Sequence, residues 1–409
     1  MRLLIADKLH PRAVEELRAL PVDVDYEPDL TKETLEAEIA DVGVLIVRST
    51  EVTAAVLEKA RNLHLIVRAG AQVATIDVRT ASKKGIYVAN CPGKNAAAVA
   101  ELVFGMIVAI DRRIPDAVAS LRAGKWERAE FGHAEGLHGK TLGVAGLGAI
   151  GRDVALRARA FGLNVIGWSK SLTANRAADL GIGHARSLEE LAQKSDILTI
   201  HMALNDRTRG IVSAKVFGAL PKHAIFLNMA RADLVDFAAM REAVKSRGLR
   251  CAIDVYPDEP KEKEGKDTYK SDLFSPPESA DRGFIYGTPH IAASTDQAQL
   301  AIAAETVRVV RSFLLEAHVP NVVNVTTSVA HFQMVIRMVD KVGTLANVLA
   351  VLKRHDINVE EVANTVFEGG GASCAKLRIV SRPSEACLRE VRAFEEVLHI
   401  DVVTLPNLA

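Results

Sequence analysis

The stretch Leu142-Gly-Val-Ala-Gly146-Leu-Gly148-Ala-Ile-Gly151 constrains this chain more than any other. Its first four residues read as a buried strand. Three glycines in G-x-G-x-x-G spacing follow, then a helical stripe of Ile150, Val154, Ala158 and Phe161. Gly146 permits a tight turn, Gly148 lets backbone approach a pyrophosphate, and Gly151 lets helix and strand pack closely. The helix N-terminus then presents free N–H groups and a positive dipole end to phosphates. Gly146, Gly148, Ala149, Ile150 and Gly151 are therefore candidate nucleotide-binding residues.

The surrounding pattern agrees. Short apolar runs at 3–6, 44–47, 63–67 and 86–89 precede the glycines. A second series includes 142–145 and continues at 165–168, 197–201, 225–228, 251–255 and 284–286. Continuous apolar runs separated by helical patterns predict parallel strands covered on both faces, wound by right-handed crossovers. A buried helix is expected over 95–112 and irregular chain over 121–126. The charged, proline-punctuated stretch 257–283 reads as an exposed loop, and 321–330 as a linker. The tail changes character. Strands at 334–339, 359–367, 375–380 and 401–405, helices at 343–355 and 384–398, and a turn at Gly369–Gly371 give a βαββαβ, ferredoxin-like order.

Composition narrows the partners. Among 409 residues, 51 Lys and Arg balance 51 Asp and Glu, which argues against a nucleic-acid or membrane-surface binder. The N-terminus carries Asp7 and Lys8 where a signal peptide needs apolar residues, and the apolar stretch 96–110 is too short to span a bilayer. A cytoplasmic protein is expected. Cys91, Cys251, Cys374 and Cys387 form no metal-ligand spacing, so no metal is expected and the thiols read as reduced and mostly buried.

The strand after the glycine helix ends at Trp168-Ser169-Lys170. NAD-preferring sites usually carry an acid there to hold the ribose 2′-hydroxyl. Ser169 repels no 2′-phosphate and Lys170 attracts one, so NADP is favoured over NAD. Arg231, Glu259 and His290 follow three successive strands, whose C-terminal ends line the ligand crevice of such a sheet. The trio suits hydride transfer between a nicotinamide and a small anionic 2-hydroxy or 2-keto acid. Histidine exchanges the hydroxyl proton, the carboxylate orients its ring, and arginine binds the substrate carboxylate and polarises the carbonyl.

These residues resemble the D-isomer-specific 2-hydroxyacid dehydrogenases. The resemblance is carried by Val47-Arg-Ser49, Arg68-Ala-Gly-Ala71, Cys91-Pro-Gly-Lys-Asn95, Val99-Ala-Glu101, the glycine motif, Asn228-Met-Ala-Arg231, Asp254-Val-Tyr-Pro-Asp-Glu-Pro260 and Thr288-Pro-His-Ile-Ala-Ala-Ser294. It implies that Arg231, Glu259 and His290 are catalytic, and that Thr208, Ala230 and Asp254 join Ser169 and Lys170 at the cofactor. It implies a substrate site of Arg48, Ser49, Ala69, Gly70, Ala71, Gln72 and Asn95, with Arg48 and Ser49 facing a distal group. The implied fold is two doubly wound domains: a flavodoxin-like substrate domain over 1–93 and 290–319, and a Rossmann cofactor domain over 94–289. A homodimer or homotetramer is implied, with the helix after Asn95 contributing. Gln72 stands where the family loop has glycine, and Ala74 where a polar residue is usual. The stretch 257–283 is longer than usual and is read as a surface insertion rather than a lid.

The tail over 330–409 resembles an ACT domain, with Val339-Asp-Lys-Val-Gly343 at its strand–turn–helix entry. That implies an oligomerisation module or an amino-acid effector site at Asp340 and Asn358. Met338 stands where serine-binding members have histidine, and Val342 where proline is frequent. With this tail the resemblance implies oxidation of 3-phosphoglycerate, the first step of serine synthesis. An NADP-dependent glyoxylate or hydroxypyruvate reductase is the alternative, and a non-enzymatic ligand sensor on the same scaffold the lesser one.

Overall fold

The computed structural model describes residues 1–260, 269, 271–274, 283–316, 318–326 and 330–406. Its contacts divide the chain into two units, Met1–Val323 and Asn324–Ala409.

The first unit holds two parallel sheets. One contains β1 (Arg2–Ile5), β2 (Asp23–Tyr26), β3 (Val42–Val47), β4 (Leu65–Arg68) and β5 (Tyr87–Ala89), in the order β2-β1-β3-β4-β5. All six residues of β3 are buried, as a central strand covered on both faces requires. The other contains β6 (Thr141–Ala145), β7 (Asn164–Trp168), β8 (Gly183–His184), β9 (Ile197–Ile200), β10 (Ile225–Asn228), β11 (Arg250–Ile253) and β12 (Phe284–Gly287), in the order β12-β11-β10-β9-β6-β7-β8. In each sheet the strand order reverses once, between β1 and β3 and between β6 and β9, and ligand crevices open at such points.

Two long helices tie the sheets together. The helix Ala96–Arg112 places Val99, Val103, Phe104 and Ile107 in one buried cluster with Leu142, Val144, Leu227 and Ala252 of the second sheet. The helix Asp296–Leu315 returns to the first sheet, where Ile302, Val307 and Val310 share one buried cluster with Leu3, Ile5, Val44 and Leu65. Its Glu305 is buried and accepts from Arg308 Nη2 at 2.6 Å and Asn321 Nδ2 at 2.6 Å, with Lys94 Nζ at 3.2 Å. Those partners hold its carboxyl down at about 2 against burial, Arg308 contributing most. Glu305 thus pins the crossover segment 90–95 to the returning helix.

Several local expectations are corrected. β2 and β8 escape the sequence reading because they are short, half-exposed edge strands with no apolar run. The stretch around 121–126 begins inside a helix, Ile114–Arg122, none of whose residues is buried. The linker starts later than 321, because Val322 bridges Ala89 and Val323 donates to Val88 O at 2.9 Å. The stretch 257–283 is not uniformly exposed surface. Tyr269 and Leu273 pack on the core, and the Tyr256 ring lies 5.3 Å from Tyr269 and 5.9 Å from Phe274. Residues 261–268, 270 and 275–282 of that stretch lie outside the described residues.

The second unit is one antiparallel sheet, β13 (Phe332–Val339), β14 (Val359–Val366), β15 (Ala372–Ile379) and β16 (Val397–Thr404), in the order β14-β15-β13-β16. With helices Thr344–Arg354 and Glu385–Arg392 this is the expected βαββαβ order. The second helix stops well short of 398. Its buried stripe of Cys387, Leu388 and Val391 ends there, and pairing of β16 with β13 takes the following residues. No glycine or proline marks that boundary, so only the tertiary pairing reveals it.

Candidate active site

The glycine turn has the shape a dinucleotide needs. Gly146 adopts φ 95°, and a Cβ there would lie 2.7 Å from His201 O across the point where strand order reverses. A Cβ on Gly151 would collide with Gly146 O, so helix and strand meet too closely for any other residue. A Cβ on Gly148 would meet open space, and no side chain caps the helix Ala149–Ala160 behind it. Its first N–H groups are left for an anion. Ala149 and Ile150 form that first turn, and the crossover reaches it, a Cβ on Gly93 lying 3.4 Å from Ala149 Cβ. Trp168 O accepts from Gly146 N at 2.8 Å, which places Ser169 and Lys170 next to the turn. Lys170 is exposed and makes no ion pair among the described residues. Thr208 lies after β9 and closes its own turn, donating to Ala203 O at 2.7 Å and accepting from Asn205 N at 2.8 Å.

The three ionisable residues converge at the ends of β10, β11 and β12. Beyond β10, the buried Asn228 clamps the turn. Its Oδ1 accepts from Ala230 N at 3.0 Å and its Nδ2 donates to Arg231 O at 2.9 Å. Arg231 leaves this clamp extended, at φ −146°. Burial lowers its proton affinity, opposed by the charge of Glu259. Glu259 Oε1 accepts from Tyr256 N at 2.9 Å, and Glu259 Oε2 meets His290 Nδ1 at 2.7 Å. A carboxylate on Nδ1 fixes that nitrogen as the N–H donor and leaves Nε2 to exchange protons. The imidazole is 47% exposed, so the cleft can reach it.

His290 stands at φ 53°, a conformation that non-glycine residues seldom adopt. Asp254 holds it there. This fully buried carboxylate accepts from Thr288 Oγ1 at 2.6 Å, Ile291 N at 2.8 Å and Ala292 N at 2.8 Å, on both sides of the histidine. Burial raises its proton affinity while these donors oppose the shift. Asp254 is expected at the cofactor, and its oxygens also anchor the histidine turn.

The loops beyond β1, β3 and β4 face the cleft from the other sheet. Asp7 Oδ2 accepts the N–H groups of Arg48, Ser49 and Thr50 at 2.7, 2.9 and 2.9 Å. Asp7 and Arg68 are candidate site residues that sequence reasoning missed. The Arg68 guanidinium folds over Gly70, where a Cβ would strike Nη1, and its buried Nε has no hydrogen-bond partner among the described residues. Burial lowers its proton affinity, and the charges of Arg48 and Arg231 lower it further. Three cations thus share one region. The loop of Ala69, Gly70, Ala71 and Gln72 is pinned from behind, Cys91 N donating to Gly70 O at 2.9 Å and Asn90 Nδ2 to Ala71 O at 2.7 Å. Gln72 Oε1 accepts from Arg231 Nη2 at 2.8 Å, joining the two sheets' loops. Asn95 caps its helix with no side-chain hydrogen bond.

In the second unit Asp340 follows β13 and Asn358 precedes β14, both exposed. The register pairs Val339 with Ala372 and Val359 with Ile379, opposite ends of β15, so the two are not neighbours within one chain. Among the described residues no group of three or more His, Cys, Asp or Glu is placed to hold a metal, and no helix is long and apolar enough to cross a membrane. Cys91, Cys251 and Cys387 are buried and Cys374 is half-buried, all unpaired.

Comparison with known proteins adds to this geometry. Residues 104–292 match the model of the D-isomer specific 2-hydroxyacid dehydrogenase, NAD binding domain. A D-3-phosphoglycerate dehydrogenase of Methanocaldococcus jannaschii is 40% identical over 330 residues, which cover 80% of this chain and 60% of that protein. The chain spans between 54% and 64% of the length of the curated relatives it matches. Among solved structures, a glyoxylate reductase from Paecilomyes thermophila superposes with a TM-score of 0.67 at 25% identity, covering 79% of this chain and 98% of that one. An acyclic imino acid reductase in complex with NADPH and D-Arg gives 0.68 at 25%, covering 79% and 100%.

Proposed function

The chain belongs to the family of D-isomer-specific 2-hydroxyacid dehydrogenases, and from that premise we propose that it oxidises D-3-phosphoglycerate and reduces the corresponding 2-keto acid. The observation that carries this reading is the meeting of the His290–Glu259 pair with three cations, Arg48, Arg68 and Arg231, at the strand ends beside the glycine turn. A substrate with an anion at each end matches that distribution, and the relative from Methanocaldococcus jannaschii carries this activity in its name.

Gly146, Gly148, Ala149, Ile150 and Gly151 would hold the dinucleotide, which when bound supplies the hydride acceptor or donor. The chain's own residues do the rest. Arg231 binds the substrate carboxylate and draws charge toward the reacting oxygen. His290 Nε2 takes the hydroxyl proton during oxidation and returns it during reduction. Glu259 stabilises the imidazolium that forms and keeps the ring from turning. Arg48 and Arg68 meet the distal anion, with Ser49 beside them. Thr208, Ala230, Ser169 and Lys170 border the nucleotide, and Asn95 lies near the substrate.

A second reading, an NADP-dependent glyoxylate or hydroxypyruvate reductase, is favoured by one observation. The chain after β7 offers Ser169 and a Lys170 with no ion pair among the described residues, instead of a carboxylate, so NADP is the preferred nucleotide. The second unit is read as an ACT domain. An effector touching both Asp340 and Asn358 would require a second copy of the chain, given their places in the sheet. An oligomer is also favoured by the helix Ile114–Arg122 and the residues after it, where Leu121 is 57% and Trp126 82% exposed.

An activity matrix tests these readings. 3-Phosphoglycerate, glyoxylate and hydroxypyruvate are each offered with NAD(H) and NADP(H), with and without serine, and absorbance is followed. Turnover of 3-phosphoglycerate is expected. Turnover confined to glyoxylate or hydroxypyruvate selects the second reading, and none at all removes both.

A further inference from the structure

Gln72 is the one contact named above that joins a neutral side chain of the first sheet's loops to the trio of the second. Its Oε1 accepts a hydrogen bond from Arg231 Nη2 at 2.8 Å, and Arg231 Nη1 donates to Ala230 O at 2.6 Å. The guanidinium is therefore fixed at two points, and both acceptors are uncharged. Among the described residues nothing accepts from Gln72 Nε2.

The surroundings explain why a neutral acceptor belongs there. Arg68 feels the repelling charges of both Arg48 and Arg231. A guanidinium free to rotate would be pushed from Arg68 and drawn toward Glu259. A carboxylate at position 72 would hold it in place and also cancel the charge that a substrate anion needs. An amide holds it and leaves the charge intact. The loop bearing Gln72 is rigid enough for this, since Gly70 and Ala71 are bonded to Cys91 and Asn90. A glycine, which the family resemblance places at this position, would supply no acceptor.

We infer that Gln72 is a positioning residue that sets the orientation of Arg231 toward the substrate carboxylate, an inference that rests on the dehydrogenase reading. The test uses the full chain with nucleotide bound. Q72M keeps the side-chain length and removes the acceptor, and Q72E keeps the acceptor and adds charge. Kinetics with the keto acid that the protein turns over are joined by calorimetric titration with oxalate, which needs no turnover. Q72M should raise the keto-acid KM and weaken oxalate by about tenfold, with nucleotide affinity and melting temperature unchanged. Q72E should weaken both further. In an R231K background, Q72M should change kcat/KM by less than about twofold, because lysine has no second nitrogen to hold.

Oxalate affinity within about twofold of the unaltered protein in Q72M overturns the inference, as does an equal effect of Q72M in the R231K background. Failure of the unaltered protein to bind oxalate overturns it too. Absence of turnover with oxalate binding that still depends on Gln72 removes the dehydrogenase reading and leaves the positioning role standing.

Discussion

The two sides of the cleft are built on opposite electrostatic plans. On the side of β10, β11 and β12, the working groups have dedicated partners: Arg231 is clamped through Asn228, Glu259 through Tyr256, and His290 through Glu259 and Asp254. On the side of β1, β3 and β4, backbone is held firmly by Asp7 and Asn90, while Arg48 and Arg68 make no ion pair among the described residues. Paired groups hold one reacting proton in place, and unpaired cations attract an anion. Damage to the first side should appear in kcat, and damage to the second in KM.

The sharpest way to break that comparison is His290→Ala. Turnover should fall roughly 10³-fold with nucleotide affinity, read by fluorescence titration, unchanged. Activity surviving this change would take the proton-transfer role away from His290. Asp254→Asn comes next. It weakens the anchor on both sides of the strained histidine without touching the ring, so kcat should fall by about 10²-fold with the keto-acid KM nearly constant. A rise in KM alone would return Asp254 to a binding role. Arg68→Met tests the other side, where the keto-acid KM should rise by about 30-fold with kcat within a few-fold. A kcat loss as large as that of Asp254→Asn would erase the distinction between the two sides.

The smallest effect is expected outside the cleft. Glu305→Gln weakens the pin on the crossover segment and should cost about 1–2 kcal/mol of stability at pH 7, measured by urea unfolding, with little change in turnover. In the fold its partners, Arg308 first, hold its carboxyl down at about 2, against 4.5 for the ordinary group. The depressed value means that its stabilisation is complete above pH 4.5 and disappears as pH falls toward 2. The variant should therefore lose less stability than the unaltered protein across that window. Parallel pH profiles for the two would show that Glu305 does not carry this contribution.

Much of this site is legible in sequence because its parts are local. The turn at Gly146, the helix start at Gly148 and the close packing at Gly151 depend on residues within a few positions of one another. Arg231, Glu259 and His290 are marked by falling after apolar strands. Asp7 and Arg68 escape because nothing near them in the chain explains them. Asp7 acts on N–H groups more than 40 residues away, and Arg68 matters only because Arg48 and Arg231 come close to it. Asp254 shows the converse. Its place in the chain is noticed, yet its employment depends on residues 34 to 38 positions later.

The sequence by itself determined the parallel α/β architecture, the βαββαβ tail, the nucleotide turn and the three residues at the strand ends, because strand burial, glycine conformation and helix periodicity are short-range properties. Tertiary structure decided the rest. It bent Asp254 back to a strained histidine, brought Arg68 within reach of the charges of Arg48 and Arg231, and set Gln72 against Arg231 across 159 positions of chain. Such contacts follow from how two sheets face each other, and side-chain hydrogen bonds over that separation leave no periodic trace in the residues that make them.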